Sequence, residues 1–459
     1  MTSAPFQVVD PATGETNPPH DFFGPGQVED ALQHAHDAGS SWSDRAVEDR
    51  AEVLRRVARY HRDHLEDLAT RAVREMGKPL AQARAEVEFS ADIYDYYADN
   101  AAQFLAETPI ALSQGPGSAV IRKRPIGVVL GIMPWNFPYY QVARFVAPSL
   151  AVGNTVLLKP APQCPDSAQA LTDAFAAAGA PTGVYTTALF DETTIASVIA
   201  DSRVAGVSFT GSERAGTTVG QLAGANIKKV VLELGGSDPF LVLDLADLTA
   251  AVDAAVEARL DNGGQSCNGA KRFIILDHHY DEFVARFTEK LAAVSPGDPM
   301  DESTVLGPLS SVAAAGRLEA QVRRATDAGA TALLDSTRDG AYFGCGVLAD
   351  VTADNPVHHE ELFGPVAIVY RAADERDAVR IANDTPFGLG SYVFTDDADQ
   401  AARVADSLQT GMVFVNGVGL DAAELPFGGV KRSGIGRELG ALGIEEFVNK
   451  QLVRSTDPR

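Results

Sequence analysis

Apolar residues recur at every third or fourth position between residues 28 and 105. The segment VEDALQHAHDAGSSW shows this spacing first, and the stretch from RAEVLRRVARY to NAAQF continues it with almost no glycine or proline. Spacing of three and four residues places the apolar side chains on one face of an α-helix. The pattern therefore predicts that the amino-terminal part of the chain is helical.

The pattern changes from about residue 119, where short runs rich in β-branched residues replace the helical spacing. Each run ends in a turn of glycine, proline or asparagine, and several lead into alanine-rich helical stretches. Alternation of strand, turn and helix predicts a parallel sheet covered by helices. The runs cover residues 128–132, 155–158, 183–189, 204–209, 229–232 and 240–243.

A second alternating series follows residue 267. Its helical segments end near residues 294 and 329, and its strand-like runs cover residues 270–276, 364–370, 392–395 and 411–416. We therefore predict two α/β units that meet near residues 235–240. The sequence shows no internal repeat and no long linker.

Composition narrows the class of protein. The 459 residues carry a net charge of −24, and 45% hydrophobic with 22% charged residues is typical of a soluble globular protein. Such an acidic surface repels the phosphate backbone of nucleic acids and anionic lipids. We therefore expect neither a nucleic acid nor a membrane as a partner. The opening MTSAPFQVVDPATGE lacks the pattern of a secretory signal, and three scattered cysteines are too few for a disulfide framework. These features favour the cytoplasm.

Polar residues follow the first two predicted strands, where ligands bind in open α/β sheets. Asn136 lies at a strand-to-helix turn before Pro138, where its amide could donate to an oxyanion or simply cap the helix. Lys159 ends the second strand, where it could hold a ribose or phosphate oxygen or remain solvated.

Three more positions carry candidate chemistry. Thr210, Gly211 and Ser212 stand between a strand and a helix, which suits a cofactor phosphate but also an ordinary serine-capped helix. Glu233 ends a strand beside two glycines and could be a general base or a surface acid. Cys267, in NGGQSCNGAKR, could be a nucleophile or a small apolar filler.

Several other motifs do not fit a known site. GIGRELG lacks both a preceding strand and the GxGxxG spacing of a dinucleotide loop. HHEEL lacks the HExxH spacing of a zinc site, because Phe363 stands where a second histidine is needed. Cys164 and Cys345 have no polar residues beside them and are interpreted as structural.

A set of segments occurs in the order seen in one enzyme family. They are PWNFP, LKP, FTGS, LELGGSDP, GQSC, EELFGPV and LPFGGVKRSGIGRE, and with DPATGE they span nearly the whole chain. The sequence resembles the NAD(P)-dependent aldehyde dehydrogenase family, and LELGGSDPF and AKRFII are similar to its succinate-semialdehyde dehydrogenase branch. The resemblance implies an α/β fold with a Rossmann-type cofactor domain (1–103 and 125–235), an α/β catalytic domain (236–432) and a small β oligomerisation element (104–124 and 433–459).

The resemblance also implies three catalytic roles. Cys267 matches the family nucleophile, whose thiolate adds to the aldehyde and carries a thioester once hydride has left. Asn136, with the backbone N–H of Cys267, matches the oxyanion donor. Glu233 matches the general base that activates water for hydrolysis. We expect positive charge or backbone N–H groups to lower the thiol pKa from about 8.5.

The family's cofactor site carries over as well, without a metal. Lys159 and Ser212 match contacts on the adenosine and pyrophosphate sides, Glu361 matches the residue that holds the nicotinamide ribose, and Phe363 packs near it. The implied cofactor-binding residues are Ile132, Met133, Pro134, Trp135, Lys159, Pro162, Thr210, Gly211, Ser212, Leu234, Glu361 and Phe363.

Pro162 departs from many NAD-preferring members, which have a glutamate at this position for the adenosine ribose hydroxyls. Without that carboxylate, a 2′-phosphate meets no charge repulsion. We therefore expect use of both NAD⁺ and NADP⁺ with a slight preference for NADP⁺.

The substrate site shows one match and one mismatch. Arg144 matches the arginine that binds the substrate carboxylate in succinate-semialdehyde enzymes, and Tyr140 and Gln141 lie one turn away. Asp261 replaces a second arginine, and Asp421 lies in the loop that resembles the substrate mouth. Both aspartates would repel a carboxylate, so a structural role for Arg144 stays open.

The resemblance thus implies a homodimer or homotetramer that oxidises a small-molecule aldehyde, with succinate semialdehyde as the leading substrate. The alternatives are an uncharged aliphatic or aromatic aldehyde, a dehydrogenase that passes its thioester to coenzyme A, and a non-catalytic structural protein. Acylating enzymes usually lack the activating glutamate, so Glu233 argues against that class. The presence of Cys267, Asn136 and Glu233 together argues against a structural protein.

Overall fold

The computed structural model describes residues 5–456, in which helices and strands alternate along most of the chain. Residues 1–4 and 457–459, at the ends of the predicted cofactor domain and oligomerisation element, lie outside the described residues. The α-helices are α1 (Pro25–Ser43), α2 (Val47–Asp63), α3 (Leu65–Met76), α4 (Leu80–Phe104), α5 (Tyr140–Val152), α6 (Pro165–Ala177), α7 (Glu192–Ala200), α8 (Glu213–Ala225), α9 (Thr249–Leu260), α10 (Asp277–Ala292), α11 (Val312–Asp327), α12 (Glu375–Asn383), α13 (Ala398–Ser407) and α14 (Gly440–Gly443).

Helices α1 to α4 confirm the helical prediction for the amino-terminal part. The pattern breaks where Gly77 ends α3 with a left-handed φ of 79°, and a Cβ there would lie 2.8 Å from a side-chain atom of Pro308. Trp42 is fully buried and donates its ring N–H to the carbonyl oxygen of Leu150 at 3.1 Å. This contact ties α1 to α5 and so to the sheet that follows.

Five of the six runs of the first predicted series form a six-stranded sheet together with β17, in the order β17-β7-β6-β3-β4-β5. The sixth run, 240–243, belongs instead to a second, seven-stranded sheet. Its members are β3 (Val128–Ile132), β4 (Thr155–Lys159), β5 (Tyr185–Thr187), β6 (Val204–Thr210), β7 (Lys229–Glu233) and β17 (Gly434–Ile435). The five strands from β3 to β7 are parallel, as predicted, and β17 joins them antiparallel to β7. The short β17 therefore lies in this sheet, although its residues fall within the predicted oligomerisation element.

The second series forms a seven-stranded sheet in the order β10-β13-β14-β9-β8-β15-β16. Its members are β8 (Asp238–Val242), β9 (Ala270–Leu276), β10 (Thr331–Leu334), β13 (Gly346–Ala349), β14 (Val366–Ala372), β15 (Tyr392–Phe394) and β16 (Phe414–Val415). Only the pairing of β10 with β13 is antiparallel. The inner strands β8 and β9 are buried on both faces, which explains their continuous apolar runs in the sequence.

Two small sheets complete the fold. Strands β1 (Thr108–Pro109), β2 (Ser118–Pro125) and β18 (Val448–Ser455) form a three-stranded antiparallel sheet with β2 in the centre. Strands β11 (Arg338–Asp339) and β12 (Tyr342–Phe343) form a two-stranded ribbon. Within residues 5–456, no helix has both the length and the apolar character needed to cross a membrane.

The two large sheets together create the setting for a site. Strands β3, β6 and β7 end at Ile132, Thr210 and Glu233, and their parallel register brings these carboxyl ends to one edge of the six-stranded sheet. The chain passes from β7 directly into β8 of the other sheet. The edge where ligands bind in an open α/β sheet therefore faces the segment before β9.

Candidate active site

A cavity of about 280 Å³ at this edge, called the first cavity, brings together residues from both large sheets. The three predicted catalytic residues, Asn136, Glu233 and Cys267, all line it although they lie far apart in the sequence. Its other lining residues are Pro134, Trp135, Gln141, Thr210, Gly211, Ser212, Leu234, Gly235, Arg317, Glu361 and Phe363.

Asn136 lies in the bend between β3 and α5, where one hydrogen bond holds its side chain and another holds its main chain. Its Nδ2 donates to the carbonyl oxygen of Gln265 at 3.0 Å, while Nδ2 of Asn262 donates to the carbonyl oxygen of Asn136 at 2.8 Å. An amide nitrogen carries two hydrogens, so one N–H of Asn136 is left for a ligand in the first cavity. This arrangement suits an oxyanion donor, and α5 begins only at Tyr140.

Cys267 is half-buried in the loop of residues 262–269, called the cysteine loop. Two of its glycines have left-handed backbone angles, with φ of 61° at Gly263 and 76° at Gly264. A Cβ on Gly264 would overlap the carbonyl oxygen of Gly364. Glycine is therefore required here by a close approach of two backbones.

The thiol of Cys267 differs from the expectation of a lowered pKa. Removal of the sulfur from water raises its pKa to about 12, although the nearby cations Arg144 and Lys271 lower it. The carboxylates of Glu361 and Glu233 add to the increase. Positive charge is present as expected, but burial outweighs it, so the thiol needs a proton acceptor to react near neutral pH.

Glu233 is buried at the end of β7, and neither of its carboxylate oxygens has a hydrogen-bond partner within residues 5–456. Burial and the neighbouring carboxylate of Glu438 raise its pKa well above the ordinary value, while Arg144 and Arg437 oppose this increase. A carboxylate with raised proton affinity at the edge of a cavity has the property that a general base requires.

The first cavity also has the features of a dinucleotide site. The rings of Trp135 and Phe363 meet edge to face at 5.7 Å across it, and the buried hydroxyl of Thr210 has no hydrogen-bond partner among the described residues. The hydroxyl of Ser212, which lines the cavity, accepts from the N–H of Ala215 and so caps the start of α8.

Glu361 enters the first cavity where Gly235 leaves room for it, since a Cβ on Gly235 would overlap Oε2 of Glu361. Its Oε1 accepts from the N–H of Gly236 at 3.1 Å. A fixed acceptor and an unpartnered hydroxyl in a cleft at strand ends fit the hydroxyl groups and phosphates of NAD(P)⁺.

The remaining predicted cofactor residues lie beside the first cavity rather than in its lining. Ile132 pairs with Lys159 in the sheet, and the N–H of Met133 donates to the carbonyl oxygen of Lys159 at 3.1 Å. Burial lowers the pKa of Lys159 to about 8. The carbonyl oxygen of Pro162 accepts from Gln7 at 2.9 Å.

A second cavity of about 320 Å³ reaches Cys267 from another direction. Gln141 lines both cavities, and both atoms of its buried side-chain amide lack hydrogen-bond partners within residues 5–456. Tyr140, Asp261 and Asp421 line the second cavity, and Oδ2 of Asp421 accepts from Asn268 at 3.2 Å. Burial raises the pKa of Asp421, and Asn268 counters this.

Arg144 is fully buried and lines neither cavity. Its Nε lies 2.7 Å from Oε2 of Glu438, and its guanidinium carbon lies 4.2 Å and 4.8 Å from the ring centroids of Phe427 and Tyr140. Both rings line the second cavity. Its two terminal nitrogens have no hydrogen-bond partner among the described residues.

Sequence reasoning missed three residues of this site. Glu438 lies in the glycine-rich segment GIGRELG, where a single acid next to an arginine was the only signal. Arg317 lines the first cavity, but α11 carries other exposed arginines and the sequence could not single it out. Asn262 holds the backbone of Asn136 across 126 residues of sequence, which no local pattern shows.

The comparison with protein families supports this picture. Residues 1–453 match the model of the aldehyde dehydrogenase family. This match confirms the resemblance drawn from the sequence motifs, and the α/β fold with its parallel sheets is the one expected from it.

Three relatives illustrate how similar the chain is to characterised members. It is 50% identical over 454 residues to a succinate-semialdehyde dehydrogenase [NADP(+)] of Deinococcus radiodurans, covering 98% of this chain and 95% of the relative. It is 44% identical to a succinate semialdehyde dehydrogenase [NAD(P)+] of Escherichia coli, covering 97% and 96%. The crystal structure of succinic semialdehyde dehydrogenase from Streptococcus pyogenes, in complex with NADP⁺, matches with a TM-score of 0.95 at 40% identity, covering 97% and 99%.

Proposed function

The chain belongs to the aldehyde dehydrogenase family, and from this we propose that it oxidises succinate semialdehyde to succinate. NADP⁺ is the preferred hydride acceptor, and NAD⁺ is also used. The observation that carries the proposal is the convergence of Cys267, Asn136 and Glu233 on one cavity at the edge of a parallel sheet.

Cys267 is the nucleophile in this proposal. Its sulfur adds to the aldehyde carbonyl because a direct loss of hydride would leave an unstable carbocation, whereas the adduct is an alkoxide. Asn136, held by Gln265 and Asn262, donates its free N–H to that alkoxide. A fixed donor costs no reorganisation during the reaction and is worth about 3 kcal/mol in comparable sites.

Glu233 acts in the second half of the reaction. Its raised pKa equips it to take a proton from water, which then attacks the thioester on Cys267. Glu438 lies beside it and holds Arg144, so the cation and two carboxylates form one buried charged group. This group supports hydrolysis as the fate of the thioester rather than transfer to coenzyme A.

The cofactor would be held by Trp135, Thr210, Ser212, Glu361 and Phe363, which line the first cavity. When bound, its nicotinamide ring supplies the acceptor for hydride. Lys159 lies at the neighbouring strand end, and Pro162 presents no carboxylate to a 2′-phosphate. These features, and the NADP⁺ named for similar proteins, support use of NADP⁺.

Arg144 would receive the carboxylate of the substrate. Its terminal nitrogens are buried without hydrogen-bond partners among the described residues, and it stacks on two rings of the second cavity. Asp261 and Asp421 line the same cavity and oppose an anionic substrate.

We further propose a cytoplasmic homodimer or homotetramer. Support comes from the three free cysteines, which suit a reducing compartment. The small sheet of β1, β2 and β18 exposes Leu452 on its edge strand β18, where this residue is 61% exposed. Exposed apolar residues on an edge strand are typical of a surface that pairs with another copy.

The proposal is tested by steady-state kinetics with succinate semialdehyde and butanal, an uncharged aldehyde of similar length. We expect kcat/KM to favour succinate semialdehyde by roughly 10²-fold, because butanal has no carboxylate to accept from the two terminal nitrogens of Arg144, which remain without hydrogen-bond partners among the described residues. Formation of NADPH should not depend on coenzyme A. Equal values for the two aldehydes would point to the uncharged substrate class, and a requirement for coenzyme A would point to an acylating enzyme.

A further inference from the structure

The lysine that follows the cysteine loop lies inside the protein. Lys271 is the second residue of β9, and only 1% of it is exposed. A lysine normally keeps its ammonium in water, and a fully buried one needs partners that replace the lost hydration. The partners of Lys271 therefore show what its charge stabilises.

The ammonium of Lys271 donates to three main-chain carbonyl oxygens of the cysteine loop. The distances are 2.9 Å to Ser266, 2.8 Å to Cys267 and 3.1 Å to Gly269. An ammonium has three N–H donors, so these contacts use its whole capacity. One side chain thus fixes the path of the backbone on both sides of the sulfur.

The same ammonium also reaches the residue expected to hold the nicotinamide ribose. Its Nζ lies 3.4 Å from Oε1 of Glu361, the oxygen that accepts from the N–H of Gly236. A Cβ on Gly236 would lie 2.6 Å from the carbonyl oxygen of Cys267. Glu361, Gly236 and the cysteine loop therefore meet around Lys271.

We infer that Lys271 is a positioning residue, whose ammonium holds the cysteine loop and the carboxylate of Glu361 in one fixed arrangement. The inference rests on the proposed roles of Cys267 as nucleophile and Glu361 as ribose ligand. Its consequence is that one buried charge sets both the orientation of the thiol and the position of the cofactor. Loss of that charge should therefore change both the reactivity of the Cys267 thiol and the binding of the cofactor. A lysine with a merely structural role would not link these two properties.

The charges around Cys267 and Lys271 determine in which direction the thiol pKa changes when the charge of Lys271 is removed. Burial raises the pKa of Cys267, and the lysine is one of two cations that lower it. The charged or titratable groups that face Cys267 are Arg144, Lys271, Glu361, Glu233, Tyr140 and Tyr392, and those that face Lys271 are Glu361, Asp238, Arg259 and Cys267. Removal of the Lys271 charge leaves Arg144 alone against two carboxylates, so the thiol should lose its proton only at higher pH.

The test compares Lys271→Met with the wild-type protein by the rate of Cys267 alkylation with iodoacetamide as a function of pH. We expect the profile to move upward by about one pH unit, which lowers the rate roughly tenfold at a fixed pH below the thiol pKa. In turnover, KM for NADP⁺ should rise and kcat should fall at least about tenfold, because the loop and the ribose ligand lose their common anchor. Peptide mass spectrometry distinguishes Cys267 from the buried Cys164 and Cys345.

Lys228→Met is the matched control, because Lys228 also donates to backbone carbonyls, of Asp201 and Val204, outside both cavities. It should keep the wild-type alkylation profile and KM. Lys271→Gln retains N–H donors without charge, so it should recover part of kcat while its profile stays shifted. If Lys271→Met does not fold, the shifted profile of Lys271→Gln carries the test.

A wild-type profile together with a wild-type KM for NADP⁺ in the folded Lys271 variants would overturn the inference. Failure of the proposed function would look different. In that case Cys267→Ala would retain turnover, whereas the inference alone fails when Cys267→Ala is inactive and the Lys271 variants behave as wild type.

Discussion

At the scale of single residues, Glu233 stands out because burial and a neighbouring carboxylate raise its pKa in spite of two nearby arginines. It is buried, it lies close to Glu438, and its oxygens have no hydrogen-bond partner within residues 5–456. Arg144 is shared between the two carboxylates and keeps the group from carrying an uncompensated negative charge. This balance leaves Glu233 able to accept a proton without being permanently paired.

We expect Glu233→Gln to keep a rapid first burst of NADPH and to lose steady turnover by about 10²-fold or more, because glutamine cannot activate the hydrolytic water. Stopped-flow absorbance measures both phases. In the wild type, kcat should increase with pH through the raised pKa of Glu233, since the base works only after losing its proton. This limb of the profile should be absent in the variant.

Cys267→Ala provides the contrast, because it should abolish the burst itself while NADP⁺ still binds. Loss of the burst in Glu233→Gln would contradict a role confined to hydrolysis.

At the scale of elements, a buried acid in one helix caps the start of another helix. Oε1 of Glu86, in α4, accepts from the N–H groups of Tyr139 and Tyr140 at the start of α5, at 2.9 Å and 3.2 Å. Its other oxygen forms an ion pair with buried Lys78. A carboxylate at a helix start satisfies free N–H groups and complements the helix dipole. Helix α5 carries Gln141 and Arg144, so this contact also holds the second cavity in shape.

Glu86→Gln should lower the free energy of unfolding by about 3 kcal/mol, because Lys78 then remains buried without its partner charge. Thermal unfolding measures the loss, and KM for the aldehyde should rise as α5 loses its capping charge. The double variant Lys78→Met/Glu86→Gln should be less destabilised than the single variant, since it buries no unpaired cation. An unchanged melting temperature in Glu86→Gln would show that the ion pair adds nothing to stability.

At the scale of the whole molecule, the three-stranded sheet of β1, β2 and β18 is separate from the two large sheets. Among residues 5–456, none of its strands pairs with a strand of either large sheet. Strands β2 and β18 pair over eight residues from Ser118 to Pro125, which joins segments more than 300 residues apart. Strand β18 is an edge of this sheet and carries Leu452 on its surface. The sheet offers both unpaired backbone groups and apolar area to another copy.

Leu452→Asp should therefore shift the protein toward smaller species in light scattering coupled to gel filtration. A buried charge at a subunit contact is costly, whereas the same change on a free surface has little effect. Leu333→Asp is the matched control, because Leu333 is also an exposed leucine on an edge strand, β10. An unchanged mass for Leu452→Asp would remove this face from the proposed subunit contact.

Much of the architecture could be predicted from local pattern. The apolar spacing of residues 28–105 and the short β-rich runs correspond to α1 to α4 and to the strands of both large sheets. Boundaries shifted by a few residues, as at 183–189, where the strand is only Tyr185–Thr187. Such shifts arise because a strand ends where its neighbour stops pairing, which the sequence of one strand does not contain.

The sequence by itself determined the fold class and the candidate catalytic residues, because each depends on spacing or on a motif within one segment. Asn136, Glu233 and Cys267 were candidates because of their places at strand ends and in the cysteine loop, and the resemblance of the ordered motifs to the family supplied their expected catalytic roles. Only the tertiary structure decided which charged side chains contact one another. Three features depend on burial and on contacts between distant segments. They are the ion pair of Arg144 with Glu438, the hydrogen bonds of Lys271 to the cysteine loop and the raised pKa of the Cys267 thiol. These quantities exist only once distant segments have packed together and excluded water.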